Sequence, residues 1–343
     1  MTTPTQASYT ALDAWIDQHF DEEVRFLQAL VRVSTDTPPG NNAPHAERTA
    51  ELLQDFGYTA EKHAVPAADV QAYGMESITN LIVRRPYGQG GKTIALNAHG
   101  DVVWLLQKGL TKPDLMIAAG FSYEVVTAHN GCLQMEVTVH GKMAHAAVPH
   151  TGVDALQGAV HILNALYAQN DGYKKVTSKI EGIQHPYLNV GRIEGGTNTN
   201  VVPGKVSFKL DRRMIPEENP VEVEATIRRV IEQAAGERAG ISVDIKRLLL
   251  ANAMTPLAGN APLVAAIQKH AQAVIGEPVP AVGTPLYTDV RLYGERGIPG
   301  VIYGAGPRTV LESHAKRADE RLDLEDLRRA TKVIARTLSD LLA

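Results

Sequence analysis

The stretch at positions 131–140 constrains the fold more than any other, because its side chains alternate between apolar and polar at every residue. The apolar set is Leu133, Met135, Val137 and Val139. A period of two is that of a β-strand, and antiparallel sheets commonly bury one face and leave the other in water. The alternation therefore predicts a half-exposed antiparallel strand, and with it the start of a new domain near residue 131.

The pattern after this strand predicts a helix, two strands, a second helix and a further strand. Proline at the first turn supports the second of these helices. Strand, helix, two strands, helix and strand is the order of a compact two-layer α+β unit. The predicted bounds are 152–168, 187–193, 205–214, 220–235 and 241–249.

On either side of this unit, helices alternate with short strands. The strand at 93–98 is apolar on both faces, which predicts a buried parallel strand. The sequence therefore predicts an α/β fold, with a mostly parallel sheet in a catalytic-type domain and an inserted two-layer α+β lid domain. The predicted helices are 12–31, 43–56, 261–275, 288–296 and 324–342, and a buried strand is expected at 300–303. The predicted domains are 1–128 with 250–343, and the insertion 129–249.

Composition excludes several classes of function. Cys132 is the one cysteine, so the chain can form neither an internal disulfide nor a thiolate metal cluster, and any metal must be held by histidine and carboxylate. The net charge is −4 and no block of lysine or arginine occurs, so nucleic acid is not an expected partner. The sequence has neither a secretion signal nor a membrane-length apolar run, which favours a cytoplasmic protein.

Two regions outside the insertion carry candidate metal chemistry. His99 and Asp101 follow the strand at 93–98, at the edge where open α/β sheets bind ligands. A histidine there can bind a metal while the aspartate orients the ring or a neighbouring ligand, although a solubilising turn explains the pair equally well. His314 stands in a polar loop before the last helix, and a lone loop histidine is also typical of a plain surface residue.

The inserted unit offers further candidates. His145 follows a strand and precedes a helix, so it can project from a turn toward a ligand, or simply belong to that turn. The amide of Asn200 and the guanidinium of Arg213 form a possible clamp for a carboxylate, unless Arg213 only pairs with Asp211. The glycines Gly304 and Gly306 either let backbone N–H groups approach a substrate or make a tight turn.

Five segments in this order resemble the zinc metallopeptidase family of acetylornithine deacetylase, succinyl-diaminopimelate desuccinylase, aminoacylase and glutamate carboxypeptidase. They are NAHGDVV, VHGKMAHAAVPHTGVDAL, GGTNTNVVPGKVSFKLDRR, YTDVRLYGERGIPGVIYGAG and ESHAKRADERLDLEDL. The resemblance covers nearly the whole chain. It implies an α/β catalytic domain with a pair of zinc ions, or cobalt or manganese, and an inserted lid that mediates homodimerisation. The implied reaction is hydrolysis of the amide bond in an N-acyl amino acid or small peptide.

The resemblance also implies residue roles. His99 and His314 match the metal histidines, and Asp101 matches the carboxylate that supports the first of them. His145 matches the lid histidine that reaches the partner subunit's active site to polarise the scissile carbonyl. The remaining matches concern the substrate: Asn200 and Arg213 grip its free carboxylate, while Gly304 and Gly306 line the pocket.

The chain departs from the family where most carboxylate ligands should stand. It runs from Asp101 directly into 104–110, so the bridging aspartate and the paired glutamates have no counterpart, and Ile117–Gly120 stands where the last carboxylate is expected. Two neutral imidazoles do not neutralise two divalent ions, so we expect at most a weak mononuclear site unless Asp114 or Glu124 is recruited. The sheet should be shortened and expose an edge. The alternative function is a catalytically impaired deletion form, or a non-catalytic dimerising and ligand-binding remnant.

Overall fold

The computed structural model describes residues 4–37, 39–72, 74–98, 102–309, 311–315 and 317–343. They fall into two compact units. The first unit comprises 1–127, 257–281 and 292–343, and the second comprises 128–256 and 282–291. In the described part of the chain, no helix is both long enough and apolar enough to cross a membrane.

The helices and strands follow one another in a mixed order along the chain. Up to residue 129 they are α1 Gln6–Val31, α2 Ala43–Asp55, β1 Glu61–Ala64, α3 Ala67–Gln71, β2 Thr79–Ile82, β3 Ile94–Asn97, α4 Val102–Gln107, β4 Leu115–Ala118 and β5 Val125–His129. The second unit continues with β6 Gly131–His140, β7 Ala144–His145, α5 Ala155–Tyr173, β8 Tyr187–Gly195, β9 Val201–Val202, β10 Lys205–Met214, α6 Pro220–Gly236 and β11 Ser242–Ala251. The remainder is α7 Ala261–Ile275, β12 Ala281–Thr284, α8 Val290–Gly294, β13 Gly300–Ile302 and α9 Leu324–Leu342.

Short polar side chains fix where the helices of the second unit begin. Asp154 accepts hydrogen bonds from the backbone N–H groups of Leu156 and Gln157, which caps α5. Asn219 caps α6 in the same way, and Pro220 occupies its first turn, where no backbone donor is needed.

The second unit is a four-stranded antiparallel sheet in the order β11-β6-β10-β8, as far as the structure describes it. Alternate residues of β6 and β10 point toward one face, where α5 and α6 complete a single apolar core. Val137 lies opposite Phe208 of β10 and Ile245 of β11 within this core. The predicted alternation and the predicted two-layer α+β order are confirmed. Buried core residues include Leu133, Met135, Val137, Val139, Ile162, Leu166, Phe208 and Ile227.

A five-stranded sheet has the order β12-β5-β13-β4-β3; its strands β3, β4 and β13 lie in the first unit and run parallel. The prediction of an α/β fold with parallel strands is therefore confirmed. The prediction that the strand at 93–98 is buried is wrong, because β3 lies at the sheet edge and Leu96 is 57% exposed. This is the exposed edge expected of a shortened sheet.

Candidate functional site

A short ribbon in the second unit positions His145 and Asn200 together. β7 pairs with β9 in antiparallel fashion, so His145 lies opposite Val201. The next residue, Ala146, donates its backbone N–H to the carbonyl oxygen of Asn200 at 2.9 Å. The structure thus brings together two site residues that are 55 positions apart in the sequence, and both are exposed.

The imidazole of His145 is set up as a hydrogen-bond donor. Its Nδ1 accepts the backbone N–H of Ala147 at 3.1 Å. A neutral imidazole that accepts at Nδ1 carries its proton on Nε2. The exposed ring therefore presents an N–H group, which is the group needed to hydrogen-bond a carbonyl oxygen.

An open groove of about 570 Å³ lies beside this ribbon. Its walls come from the start of α5, from the turn after His145 and from the Asn-rich loop before Asn200. The groove can therefore hold a small molecule near the exposed His145 ring. Its lining residues include Ala146, Pro149, Asp154, Thr197 and Asn198.

Arg213 lies in a half-buried polar cluster on β10. Its Nε donates to Oδ1 of Asp211 at 2.6 Å, and Gln134 donates to the other oxygen of that carboxylate at 2.9 Å. The ring of Tyr287 lies 5.1 Å from the guanidinium carbon. Burial alone would lower the pKa of Arg213, but the hydrogen bond and charge of Asp211 outweigh it and raise the pKa. A substrate carboxylate at this position would have to share the guanidinium with Asp211.

Asn200 and Arg213 do not meet within one chain. Asn200 precedes β10, whereas Arg213 is the penultimate residue of that strand. At about 3.3 Å per residue, the length of β10 from Lys205 to Arg213 is roughly 26 Å. The expectation that both side chains surround one strand start is therefore wrong for a single chain, because the strand is extended along its whole length.

The loop of the first unit holds His314 in an unusual backbone conformation. His314 has φ 52°, which places a non-glycine residue in the left-handed region. Its Nδ1 is 2.5 Å from a carboxylate oxygen of Asp319. A carboxylate on one ring nitrogen fixes the ring and leaves the other nitrogen as the available ligand atom, as in metal-binding histidines. Reasoning from the sequence missed Asp319, although it stands five residues after His314 in the same polar loop.

Among the described residues, the candidate metal donors are not gathered into one site. His99 and Asp101 lie outside the described residues. Within the described ranges, no group of three or more histidine, cysteine, aspartate or glutamate side chains is arranged to hold an ion. Asp114 instead accepts the backbone N–H of Thr93 at 2.7 Å, and burial raises the pKa of Glu124.

The turn at Gly304 and Gly306 serves close packing of the backbone. The N–H of Gly304 donates to the carbonyl of Phe121 at 3.2 Å, and that of Gly306 donates to the hydroxyl of Ser122 at 3.2 Å. A Cβ on Gly304 would approach the backbone nitrogen of Gly120 to 2.7 Å. Both N–H groups are therefore engaged, which favours the tight-turn alternative over direct contact with a substrate.

Comparison with known proteins assigns the second unit. Residues 127–239 match the peptidase dimerisation domain of the M20 type. This part of the chain is similar to a peptidase dimerisation domain. The match covers β6 to α6, including the His145 ribbon and Arg213, and the resemblance drawn from the five segments is confirmed.

The curated proteins that this chain is similar to include a deacetylase and a desuccinylase. The chain is 27% identical to an acetylornithine deacetylase of Myxococcus xanthus over 217 residues, which is 62% of this chain and 54% of the relative. It is 26% identical to a succinyl-diaminopimelate desuccinylase of Magnetococcus marinus over 223 residues, 63% of this chain and 53% of the relative. The chain therefore spans about half the length of the curated relatives it matches.

The fold also recurs in a solved enzyme. The dipeptidase Dug1p of Saccharomyces cerevisiae superposes with a TM-score of 0.74 at 12% identity, covering 98% of this chain and 99% of that chain. At this identity the likeness concerns the fold alone.

Proposed function

We propose that this chain is a homodimeric protein of the amidohydrolase lineage that recognises N-acyl amino acids or small peptides through a free carboxylate. Hydrolysis of the amide bond is the reaction that this lineage assigns to it. The observation that carries the proposal is the His145 ribbon, which presents an exposed imidazole N–H beside Asn200 and an open groove.

A homodimer would reconcile the separation of the candidate binding residues. His145 and Asn200 lie near one end of β10 and Arg213 lies near the other, so one chain does not bring them to one ligand. In a symmetric pair, the ribbon of one subunit can meet the Arg213 of its partner. The site we propose is therefore shared between two subunits.

The surface of the second unit suits such a pairing. β8 is an edge strand, with Ile193 48% exposed, and it offers unpaired backbone groups to another strand. Helix α5 exposes Leu156, Val160 and Tyr167 at helical spacing. An apolar helix face beside a free sheet edge is a surface that a second copy of this chain would cover.

Hydrolases of this lineage require a metal, and this requirement limits which catalytic steps we propose for the chain. A metallo-carboxypeptidase and a dinuclear metal-binding peptidase of the M20 family are among the structural neighbours. They support a proposed dependence on a metal, for which zinc, cobalt and manganese are our candidates. The described residues do not supply the donors of such a centre. We therefore derive no catalytic step through a metal, and what this chain's own residues offer is binding, orientation and an imidazole donor.

A second candidate function is a ligand-binding dimer that does not hydrolyse its ligand. The absence of a metal-holding group from the described residues favours this alternative. Both candidates use the same lid domain and the same carboxylate-bearing ligand, and they differ only in whether the amide bond is cleaved.

One experiment separates the candidates. The purified protein is incubated with N-acetyl and N-succinyl amino acids and with dipeptides, with zinc, cobalt or manganese supplied, and the released amine is measured. Calorimetry with the same compounds measures binding, and carboxamide analogues test the need for a free carboxylate. Release of amine supports the hydrolase, and carboxylate-dependent binding without release supports the binding dimer. If the protein releases no amine and binds none of these compounds, the proposal is contradicted.

Variants test the role of the ribbon. His145→Ala removes the donor, and we expect kcat/KM to fall about 10²-fold if the ring stabilises a developing oxyanion. His150→Ala is the matched control, because His150 is exposed in the same loop and should leave kcat/KM within about twofold. Where only binding is observed, Arg213→Gln should weaken the carboxylate ligand about tenfold, and His150→Ala should not.

A further inference from the structure

His129 occupies the point at which the chain enters the second unit. It is the last residue of β5, and the second unit begins at Ala128. Its backbone N–H donates to the carbonyl of Met254 at 3.1 Å and its carbonyl accepts the N–H of Met254 at 3.0 Å. Met254 in turn lies two residues before the second unit's main segment ends at Pro256. The backbone of His129 therefore ties the entry of this segment to its exit.

The side chain of His129 ties in a third segment. The ring is fully buried, and its Nδ1 lies 2.8 Å from the carbonyl of Asn130. Its Nε2 accepts the backbone N–H of Thr288 at 3.3 Å. Only a neutral ring with its proton on Nδ1 can donate to a carbonyl and accept from an N–H at the same time.

Thr288 belongs to the segment 282–291, which follows α7 along the chain and packs in the second unit. Two backbone bonds hold the start of this segment: Gly283 donates to Glu181 at 2.7 Å, and Asn130 donates to Thr284 at 3.2 Å. Toward its centre, Tyr287 lies over the guanidinium of Arg213. The bond to His129 fastens the residue directly after Tyr287.

The charges around the ring oppose a second proton. Arg291, from the segment itself, adds a positive charge, and the residues at 252–256 contribute no ionisable side chain. The other titratable groups on these elements are Tyr287 and Asp289 on the segment and Cys132 beyond Asn130. Burial first, and the charge of Arg291 in addition, lower the pKa of His129 to about 4. A proton on Nε2 would remove the acceptor for Thr288 and place a buried cation near the positive charge of Arg291.

We propose that His129 is an acid-sensitive latch that holds the segment 282–291 against the rest of the second unit. The latch is closed while the ring is neutral, and it opens when both ring nitrogens carry protons. Opening releases the Thr288 amide and withdraws the Tyr287 ring from Arg213. This device is independent of whether the chain hydrolyses a substrate, because it rests on bonds inside the second unit.

Hydrogen exchange followed by mass spectrometry tests the latch on the full chain. The peptide that covers 282–291 is compared at pH 7 and pH 4.5, after correction for the intrinsic pH dependence of exchange. Titration from an ordinary value of 6.5 to about 4 predicts faster exchange at the lower pH, by on the order of 10²-fold. Peptides from β6 and β10 report on the rest of the unit and should change far less.

Two substitutions separate the latch from general acid damage. In His129→Gln, the side-chain oxygen can accept the Thr288 N–H but does not titrate, so exchange of 282–291 should be equally slow at both pH values. In His129→Leu no acceptor remains, so exchange should be fast at both. His140→Gln is the matched control, because His140 ends β6, the next strand along the chain, and its ring is paired with Asp244 at the surface. This variant should behave as the wild type.

The outcomes are decisive. Faster exchange of 282–291 at pH 4.5 in the wild type and in His140→Gln, but not in His129→Gln, supports the latch. Equal pH dependence in the wild type and His129→Gln would overturn it, as would slow exchange in the wild type at both pH values. If His129→Leu does not fold, the wild type, His129→Gln and His140→Gln still decide between these outcomes.

Discussion

In the sheet of the second unit, β6 and β10 are each ten residues long, whereas the strands of the first unit's sheet are three to five residues long. The long strands bury one continuous apolar face under two helices. The short strands end in an edge, β3, that exposes Leu96. The two sheets therefore differ in strand length and in how completely they bury their apolar side chains.

The two units also differ in the candidate functional residues that they contain. The second unit keeps the features of a dimerisation domain: the His145 ribbon, the exposed α5 face and the free edge of β8. The first unit retains His314 with its carboxylate partner Asp319, but the segment that would carry further carboxylates is missing from the sequence after Asp101. Recognition and assembly are thus better supported by this chain than metal chemistry.

The largest expected effect sharpens the contrast between the two sheets. Phe208 is 1% exposed in the core of the second unit, and Phe208→Ala would leave a cavity under α5 and α6. We expect a loss of about 3–5 kcal/mol in the free energy of unfolding, measured from hydrogen exchange of the β6 and β10 amides.

The matched change in the first unit is Leu96→Ala at the exposed edge. Because Leu96 already faces solvent, we expect a change within about 0.5 kcal/mol for the β3 and β4 amides. Similar losses in the two variants would contradict the account, since β3 would then be as well packed as β10.

Acid should affect the two units in different pH ranges. The neutral His129 is favoured in the folded state, so stability of the second unit should fall as the pH decreases from 6.5 to about 4, by about 3 kcal/mol at most. In the first unit, burial alone would raise the pKa of Asp340, but hydrogen bonds from Lys269, Tyr9 and His270 lower it to about 2. That contribution is present above pH 3.8 and is lost as the pH falls toward 2.

Tryptophan fluorescence allows this difference to be measured. Trp15 belongs to the first unit, so its fluorescence follows that unit, while exchange of β6 follows the second. We expect exchange of β6 amides, corrected for intrinsic rates, to rise between pH 6.5 and 4 before tryptophan fluorescence changes. Simultaneous change of both signals below pH 4 would show that His129 does not dominate acid stability.

A smaller effect than those of Phe208→Ala and of acid concerns assembly. Val160 is 47% exposed on α5, and Val160→Asp would place a charge in the proposed dimer contact. We expect the dimer to weaken tenfold or more, or about 1.4 kcal/mol, by analytical ultracentrifugation. Val221→Asp on α6 is the matched control, because Val221 is 72% exposed in the same unit and outside the proposed contact. A monomeric wild type, or equal weakening by both variants, would refute the α5 contact.

The longer elements of both units were predictable because they carry a strict local pattern. The predicted strand at 205–214 and the predicted helix at 261–275 match β10 and α7, and the helix at 324–342 matches α9. Periodicity succeeds there because each element buries one face. The predicted helix at 288–296 is only Val290–Gly294 in the structure, because the residues directly before it are irregular and Thr288 donates its backbone N–H to His129.

The candidate site was less predictable because it depends on distance in space. Sequence order placed Asn200 and Arg213 close together, but the extended β10 separates them. No local pattern indicates the pair formed by the Tyr287 ring and Arg213, since the two residues are 74 positions apart. The carboxylate partner of His314 was five residues away, and a search for acids next to the histidine could have found it.

The central claim is our proposal that this polypeptide serves dimerisation and recognition, and that its described residues gather no donors for a pair of metal ions. The most direct test is elemental analysis of protein purified without chelator, together with equilibrium dialysis against zinc, cobalt and manganese. We expect at most one weakly held ion per chain, because the described residues hold no cluster of three donor side chains. Two tightly bound ions per chain would contradict the account.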